Sequence, residues 1–201
     1  IFINKLYKER SYFFKILEQS SQTFDIKATP VFLPIGAEDK FEGLVDLIRL
    51  KAYRYSKDGS GKFESGDIPA DMDDTVSEWR EKIIENIIEA NDDLMEKYLE
   101  GEDLSTREIE ETLIQGIKSG IIVPTVCGSA ILNLGIPQLM DLIVQGLPSP
   151  LEKAPRKGTQ PGREDVVERP LTVDAPFSAL VFKIIADQFA RRLTLLRVFS
   201  V

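Results

Sequence analysis

Ile1-Phe2-Ile3-Asn4-Lys5-Leu6 opens the chain, and Ile121-Ile122-Val123-Pro124-Thr125-Val126-Cys127-Gly128-Ser129-Ala130 follows far downstream. Each is a short, uncharged apolar run that halts on small or polar residues, which is how a strand buried on both faces and ending in a loop reads. Two such strands separated by helical text predict an α/β arrangement in which Asn4-Lys5 and Ser129-Ala130 are strand-end loops. The carboxyl ends of parallel strands are where an open α/β sheet presents ligand-binding groups.

The surrounding composition is that of an ordinary globular chain: 201 residues, 43% hydrophobic and 29% charged. Neither an apolar run of membrane-spanning length nor a basic segment leading into an apolar stretch is present, so the expectation is a cytoplasmic protein without membrane contact. The single Cys127 has no partner for a disulfide within the chain and reads as a small buried hydrophobe. Histidine is absent, which removes the Ser-His and Cys-His nucleophile pairs and the commonest transition-metal ligand. No catalytic residue and no metal site are assigned. The chain starts without Met in mid-strand and stops in an apolar alternating run, so it is expected to be a piece of something longer.

Charge is unevenly spread. Residues 64–111 carry 18 acids and 4 bases, while the rest holds 15 acids and 21 bases, within a net charge of −8. Such a balance argues against nucleic acid as the partner of the central segment and leaves a basic protein surface or plain solubility.

Periodicity predicts a helix over Ser11 to Gln19, strands over Thr29 to Ile35 and Gly43 to Tyr55, and a turn at Lys57-Asp58-Gly59-Ser60-Gly61 leading to a return strand near Phe63. From Thr75 a helical stripe of Val76, Trp79, Ile83, Ile84, Ile87 and Ile88 begins, with Thr75 and Glu78 spaced as a capping box. A short helix over Asp92 to Leu99 follows. Ser105 and Glu108 form a second capping-box pattern, opening a helix that Gly120 ends. Leu134 to Leu147 is a further helix, and Pro148-Ser149-Pro150 marks a boundary. Residues 151–175 read as an exposed linker with a brief strand near Val166, and Phe177 to Ile185 with Leu193 to Phe199 as a hairpin joined by Asp187 to Arg191. Arg191 and Arg192 fit either an RNA contact or ordinary turn arginines.

Reading guanine requires an acceptor pair for its N1-H and amino group and a donor for its O6. GTPases supply these with Asn-Lys-x-Asp after one strand and Ser-Ala-x after a later one, and Asn4-Lys5-Leu6-Tyr7 and Ser129-Ala130-Ile131 stand in those places. With Phe32-Leu33-Pro34-Ile35-Gly36, Phe41-Glu42-Gly43-Leu44-Val45-Asp46-Leu47, Leu94 to Gly101, Pro124 to Ala130, Leu147-Pro148-Ser149-Pro150 and Phe177 to Lys183, the text resembles the bacterial elongation factor G family of ribosome-dependent GTPases over essentially its whole length. The resemblance implies an α/β fold: a remnant of a P-loop GTPase-type parallel sheet (1–24 and 121–150), an inserted acidic α+β subdomain (25–120), a linker (151–175) and the first strands of a truncated β barrel (176–201).

It also implies roles. Asn4 would bond the purine, the Lys5 stem would lie along the base, and the Ala130 amide, positioned by Ser129, would meet O6 of GTP or GDP, which Mg accompanies in the parent protein. The departure is Tyr7, where the family pattern has Asp: a phenol cannot accept at two points, which costs roughly 1–3 kcal/mol of discrimination by analogy with other bidentate base contacts. At Tyr12, too, the family more usually has Asp. The chain contains no G-x-x-x-x-G-K-[ST] phosphate loop, since Gly59-Ser60-Gly61-Lys62 is followed by Phe63. This stretch is therefore expected to hold no nucleotide and hydrolyse nothing alone.

Glu78, Glu81, Glu85 and Glu89 recur at three- and four-residue steps and form an anionic ridge, with only Arg80 and Lys82 near enough to compensate. A solvated face and a docking surface for a basic partner both fit. The resemblance implies the second, with the stalk protein of the large ribosomal subunit as the partner. Two functional readings follow: part of a GTPase that drives translocation of tRNA and mRNA, or a non-catalytic ribosome-docking module with a degenerate guanine site. Sequence-specific nucleic-acid binding by this piece alone is not expected, whereas self-association through unpaired edges of the final hairpin is.

Overall fold

The computed structural model describes residues 1–159, 162–186 and 192–201. The chain separates into two compact units, Ile1–Leu147 and Pro148–Val201.

In the first unit, β1 (Phe2–Ile3), β7 (Val123–Cys127) and β2 (Ala28–Pro30) form a parallel sheet in the order β1-β7-β2, with Phe2 opposite Val126 and Ala28 opposite Val123. The central strand is flanked on both sides, and Thr125, Val126 and Cys127 are fully buried. This is why its sequence is an uncharged apolar run. Ala28–Pro30, within the stretch read as an insertion, is thus the third strand of this sheet.

A four-stranded antiparallel sheet follows, β3 (Phe32–Ile35), β4 (Gly43–Asp46), β5 (Lys51–Tyr55) and β6 (Phe63–Gly66), paired in chain order. The single strand predicted over Gly43 to Tyr55 is a hairpin. Asp46, buried at the end of β4, accepts the amide hydrogens of Ile48 and Arg49 on one oxygen, both at 2.9 Å, and so stops the strand and folds the turn. Its other oxygen takes the Tyr53 hydroxyl at 3.3 Å and lies 3.5 Å from Arg49. From outside the turn, the Arg80 guanidinium donates to the carbonyls of Leu47 and Ile48.

Five helices complete the unit: α1 (Phe13–Phe24), α2 (Asp73–Ile88), α3 (Asp92–Leu99), α4 (Thr106–Ser119) and α5 (Ile136–Gly146). α1 begins two residues later than predicted, behind an N-cap Tyr12 that makes no side-chain cap bond, and runs five residues further. Thr75 and Glu78 do not cap α2. A turn of 3₁₀ helix at Ala70–Met72 feeds directly into Asp73, and Asp73 and Asp74 place carboxylates in the first turn, where the helix dipole favours them. Ser105 and Glu108 do form their reciprocal box on α4. Leu33, Leu44, Val45, Leu47, Ala52, Ile87, Val126 and Cys127 are fully enclosed, and the core runs without a break through both sheets and α1, α2 and α4, with Leu139 and Leu142 of α5 packed against it.

The second unit pairs β8 (Arg156–Thr159) with β9 (Val166–Arg169), and β10 (Ser178–Ile185) with β11 (Leu193–Ser200), both antiparallel. The linker is therefore itself a hairpin, tied by the Lys157–Glu168 ion pair at 2.9 Å. The turn predicted at Asp187 to Arg191 lies outside the described residues. No closed barrel is present among the described residues. Ser200 is buried, donating to the Pro176 carbonyl at 2.6 Å and bonding the Ser178 hydroxyl at 2.7 Å.

Candidate functional site

Parallel pairing of β1 with β7 carries the two loops to one rim. Gly128 N–H donates to the Ile3 carbonyl at 3.0 Å, and Leu6 N–H returns to the Gly128 carbonyl at 3.3 Å. At Gly128 a Cβ would sit 2.2 Å from the Leu134 carbonyl oxygen, so the close approach requires glycine. Beyond it the Asn4 side-chain oxygen accepts from Lys5 N–H at 2.8 Å and, across 126 residues, from Ala130 N–H at 3.0 Å. Lys5 adopts a left-handed backbone, φ 68°, which turns the chain away from the strand.

Ser129 is buried and braces the second loop. Its backbone exchanges hydrogen bonds with Leu134 at 2.9 and 3.0 Å, and its hydroxyl accepts from Leu132 N–H at 3.2 Å. Asn4, Lys5 and Ala130 are exposed on the rim. The four predicted residues Asn4, Lys5, Ser129 and Ala130 are therefore brought together. One detail lies beyond sequence: the Ala130 amide, which the resemblance assigns to O6, already donates to Asn4, so an incoming base has to share or displace that bond.

Tyr7 is half-buried and lines a cleft of about 360 Å³ on the same rim, walled by Phe41, Tyr55, Leu132 and Leu134. Sequence reasoning missed this cleft because its walls come from four separated segments. Tyr55 bonds Gln138 through its hydroxyl, and burial pushes its phenol well above the usual range, so it is a neutral wall.

No family model matches the chain. A crystal structure of a protein from Thermus thermophilus matches the whole chain with a TM-score of 0.71 and 27% identity. The chain spans 27% of that protein's length. The likeness supports the mixed α/β architecture of a short parallel sheet with antiparallel sheets.

The ridge is real but less bare than its sequence. Glu78, Glu81 and Glu85 are exposed on α2 and Glu89 is exposed at its C-cap. Glu78 pairs with Lys82 and Glu89 with Lys27, each at 2.5 Å. Arg80, counted as a compensating charge, instead turns inward to the Leu47 and Ile48 carbonyls. Lys27, 62 residues from Glu89, takes its place. Glu81 and Glu85 have no ion-pair partner among the described residues. Trp79 packs as an anchor, stacked on Phe14 with centroids 5.2 Å apart, with the Lys82 ammonium 4.7 Å from its centroid. No helix among the described residues is long and apolar enough to cross a membrane, and no group of His, Cys, Asp and Glu among them is placed to hold a metal ion.

Proposed function

We propose that the chain is part of a cytoplasmic, ribosome-dependent translational GTPase of the elongation factor G kind, acting in translocation, and that it forms the base-binding wall of the nucleotide pocket. The observation that carries this reading is the Ala130 N–H to Asn4 hydrogen bond, which joins two loops 126 residues apart on the rim where purine-reading groups belong. Asn4, Lys5 and Ala130 suit a purine edge, and Tyr7 does not suit the two-point contact to guanine. Phosphate and Mg contacts are not assigned to this stretch, which lacks the phosphate loop and is not expected to hydrolyse GTP alone.

The test is binding of GDP, IDP and ADP to the full-length protein containing this chain, with Tyr7 in place and with Tyr7→Asp. Weak base discrimination that sharpens on substitution, by roughly 1–3 kcal/mol in favour of GDP, is the expected result. Absence of purine binding in both forms would overturn the reading. Tight GDP selectivity with Tyr7 in place would instead overturn the role given to Tyr7.

A second reading, a non-catalytic module that docks on the ribosomal stalk protein, is favoured by Glu81 and Glu85, which are exposed and have no ion-pair partner among the described residues. Binding to the stalk protein's C-terminal domain should then be rapid and should weaken steeply as salt rises. No binding at low salt rejects it. Pairing between copies through the edges of β10 and β11 is a further proposal, read out as a concentration-dependent mass in solution.

A further inference from the structure

The cleft beside Tyr7 is not explained by the guanine reading, and its chemistry is distinctive. Phe41 and Tyr55 are buried and contribute two aromatic walls, Tyr7 a third, and Leu132 and Leu134 an apolar side. At about 360 Å³ it lies at the lower end of the roughly 300–1,000 Å³ range of small-molecule sites. One side is held in place by the β5–β6 turn, where the Asn133 amide donates to the Gly59 carbonyl at 3.4 Å.

Three carboxylates, Glu38, Asp39 and Glu42, also line the cleft, against the single ammonium of Lys57. Glu38 is partly occupied, accepting Arg10 N–H at 2.7 Å, and Glu42 stands 3.9 Å from Arg54, an exposed pair of little strength. Asp39 has no ion-pair partner among the described residues. An excess of carboxylate repels phosphate, so the cleft does not suit the phosphate end of a nucleotide. A bare metal ion is equally unsuited, because these acids do not converge into a metal-holding group. Aromatic faces with a surplus of negative charge suit a diffuse cation carrying an apolar body.

We propose that this cleft binds a small monovalent organic cation of the arylalkylamine class, with its apolar body against Tyr7, Phe41 and Leu134 and its ammonium toward Asp39 and Glu42. Tyr7 then has a constructive role at the position where the guanine-reading pattern has a carboxylate. The proposal does not depend on nucleotide binding.

The test titrates the protein, followed through the methyl NMR signals of Leu132 and Leu134, with phenethylammonium, neutral 2-phenylethanol and anionic 3-phenylpropionate. The expected order is phenethylammonium tightest, about fivefold or more over 2-phenylethanol, with 3-phenylpropionate weakest. Asp39→Asn with Glu42→Gln, both exposed and safe for folding, should bring the amine and the alcohol level, while Tyr7→Ala should weaken both. Silent Leu132 and Leu134 methyls, equal binding of the anion, or an amine preference that survives the double carboxamide variant would each overturn the proposal. Because GDP is not a ligand in this titration, failure here leaves the guanine reading untouched, and the reverse holds too.

Discussion

The two units use their apolar residues in opposite ways. In Ile1–Leu147 the large aliphatic side chains of β3, β4 and β7 vanish into one core, whereas in Pro148–Val201 the paired strands β10 and β11 leave Leu180, Phe182, Ile184 and Leu196 exposed. Both regions have strong β patterns, and both form their ladders. The difference teaches that alternation and β-branching specify which strands pair, but a ladder becomes a core only when a second layer covers its apolar face.

The largest contrast is expected from truncating one apolar residue in each unit. Leu44→Ala, at a fully enclosed position, should cost about 2–5 kcal/mol in urea denaturation followed by circular dichroism. Phe182→Ala, at a side chain 63% exposed, should stay within about 0.5 kcal/mol. Equal losses would erase the distinction. Next come the glycines. Gly135 has φ 77°, and an added Cβ would lie 2.4 Å from the Cys127 carbonyl oxygen, so Gly135→Ala should cost at least about 1–2 kcal/mol in the same assay. Gly158→Ala in β8, where a Cβ meets nothing within 4 Å, should be nearly silent.

Smaller effects separate two helices inside the first unit. Ser105→Ala removes a formed cap and should cost about 1 kcal/mol, whereas Thr75→Ala removes none and should stay within about 0.5 kcal/mol. The smallest is a pH effect. Hydrogen bonds from Lys97 and then Ser105 lower the Glu108 carboxyl to about 2, from an ordinary 4.5. The unfolded chain takes up the proton first, so the contribution of Glu108 is complete above pH 4.5 and fades as the pH falls toward about 2. The stability gap between the protein and Glu108→Gln should narrow over that window in a denaturation series, and a gap constant with pH would argue against the assignment.

Much of this was legible in the sequence where one residue type admits one local solution. The uncharged run ending at Gly128 becomes a strand flanked on both sides, the Ser105-x-x-Glu108 spacing becomes a closed box, and Pro148-Ser149-Pro150 falls at the division between units. Where a residue's partner is distant, legibility stops. The β-rich text from Gly43 to Tyr55 hides a turn because Asp46 works by folding back on Ile48 and Arg49, and the outer clasp comes from Arg80 on another element. At the rim, residue types named Asn4 and Ala130 but not that each satisfies the other. The aromatic cleft was invisible because Tyr7, Phe41, Tyr55 and Leu134 are neighbours only after folding.

Cys127 gives the rim an internal clock. It is the sole sulfhydryl of the sequence, it sits fully enclosed in β7 one residue before Gly128, and burial holds its thiol far from ionisation. Thiol reagents attack the thiolate, so alkylation has to wait until the strand opens. Any ligand that grips Asn4 and Ala130 should lengthen that wait by a factor of 1 + [L]/Kd, so that mass spectrometry of the Cys127 adduct reads binding without a label or an activity assay.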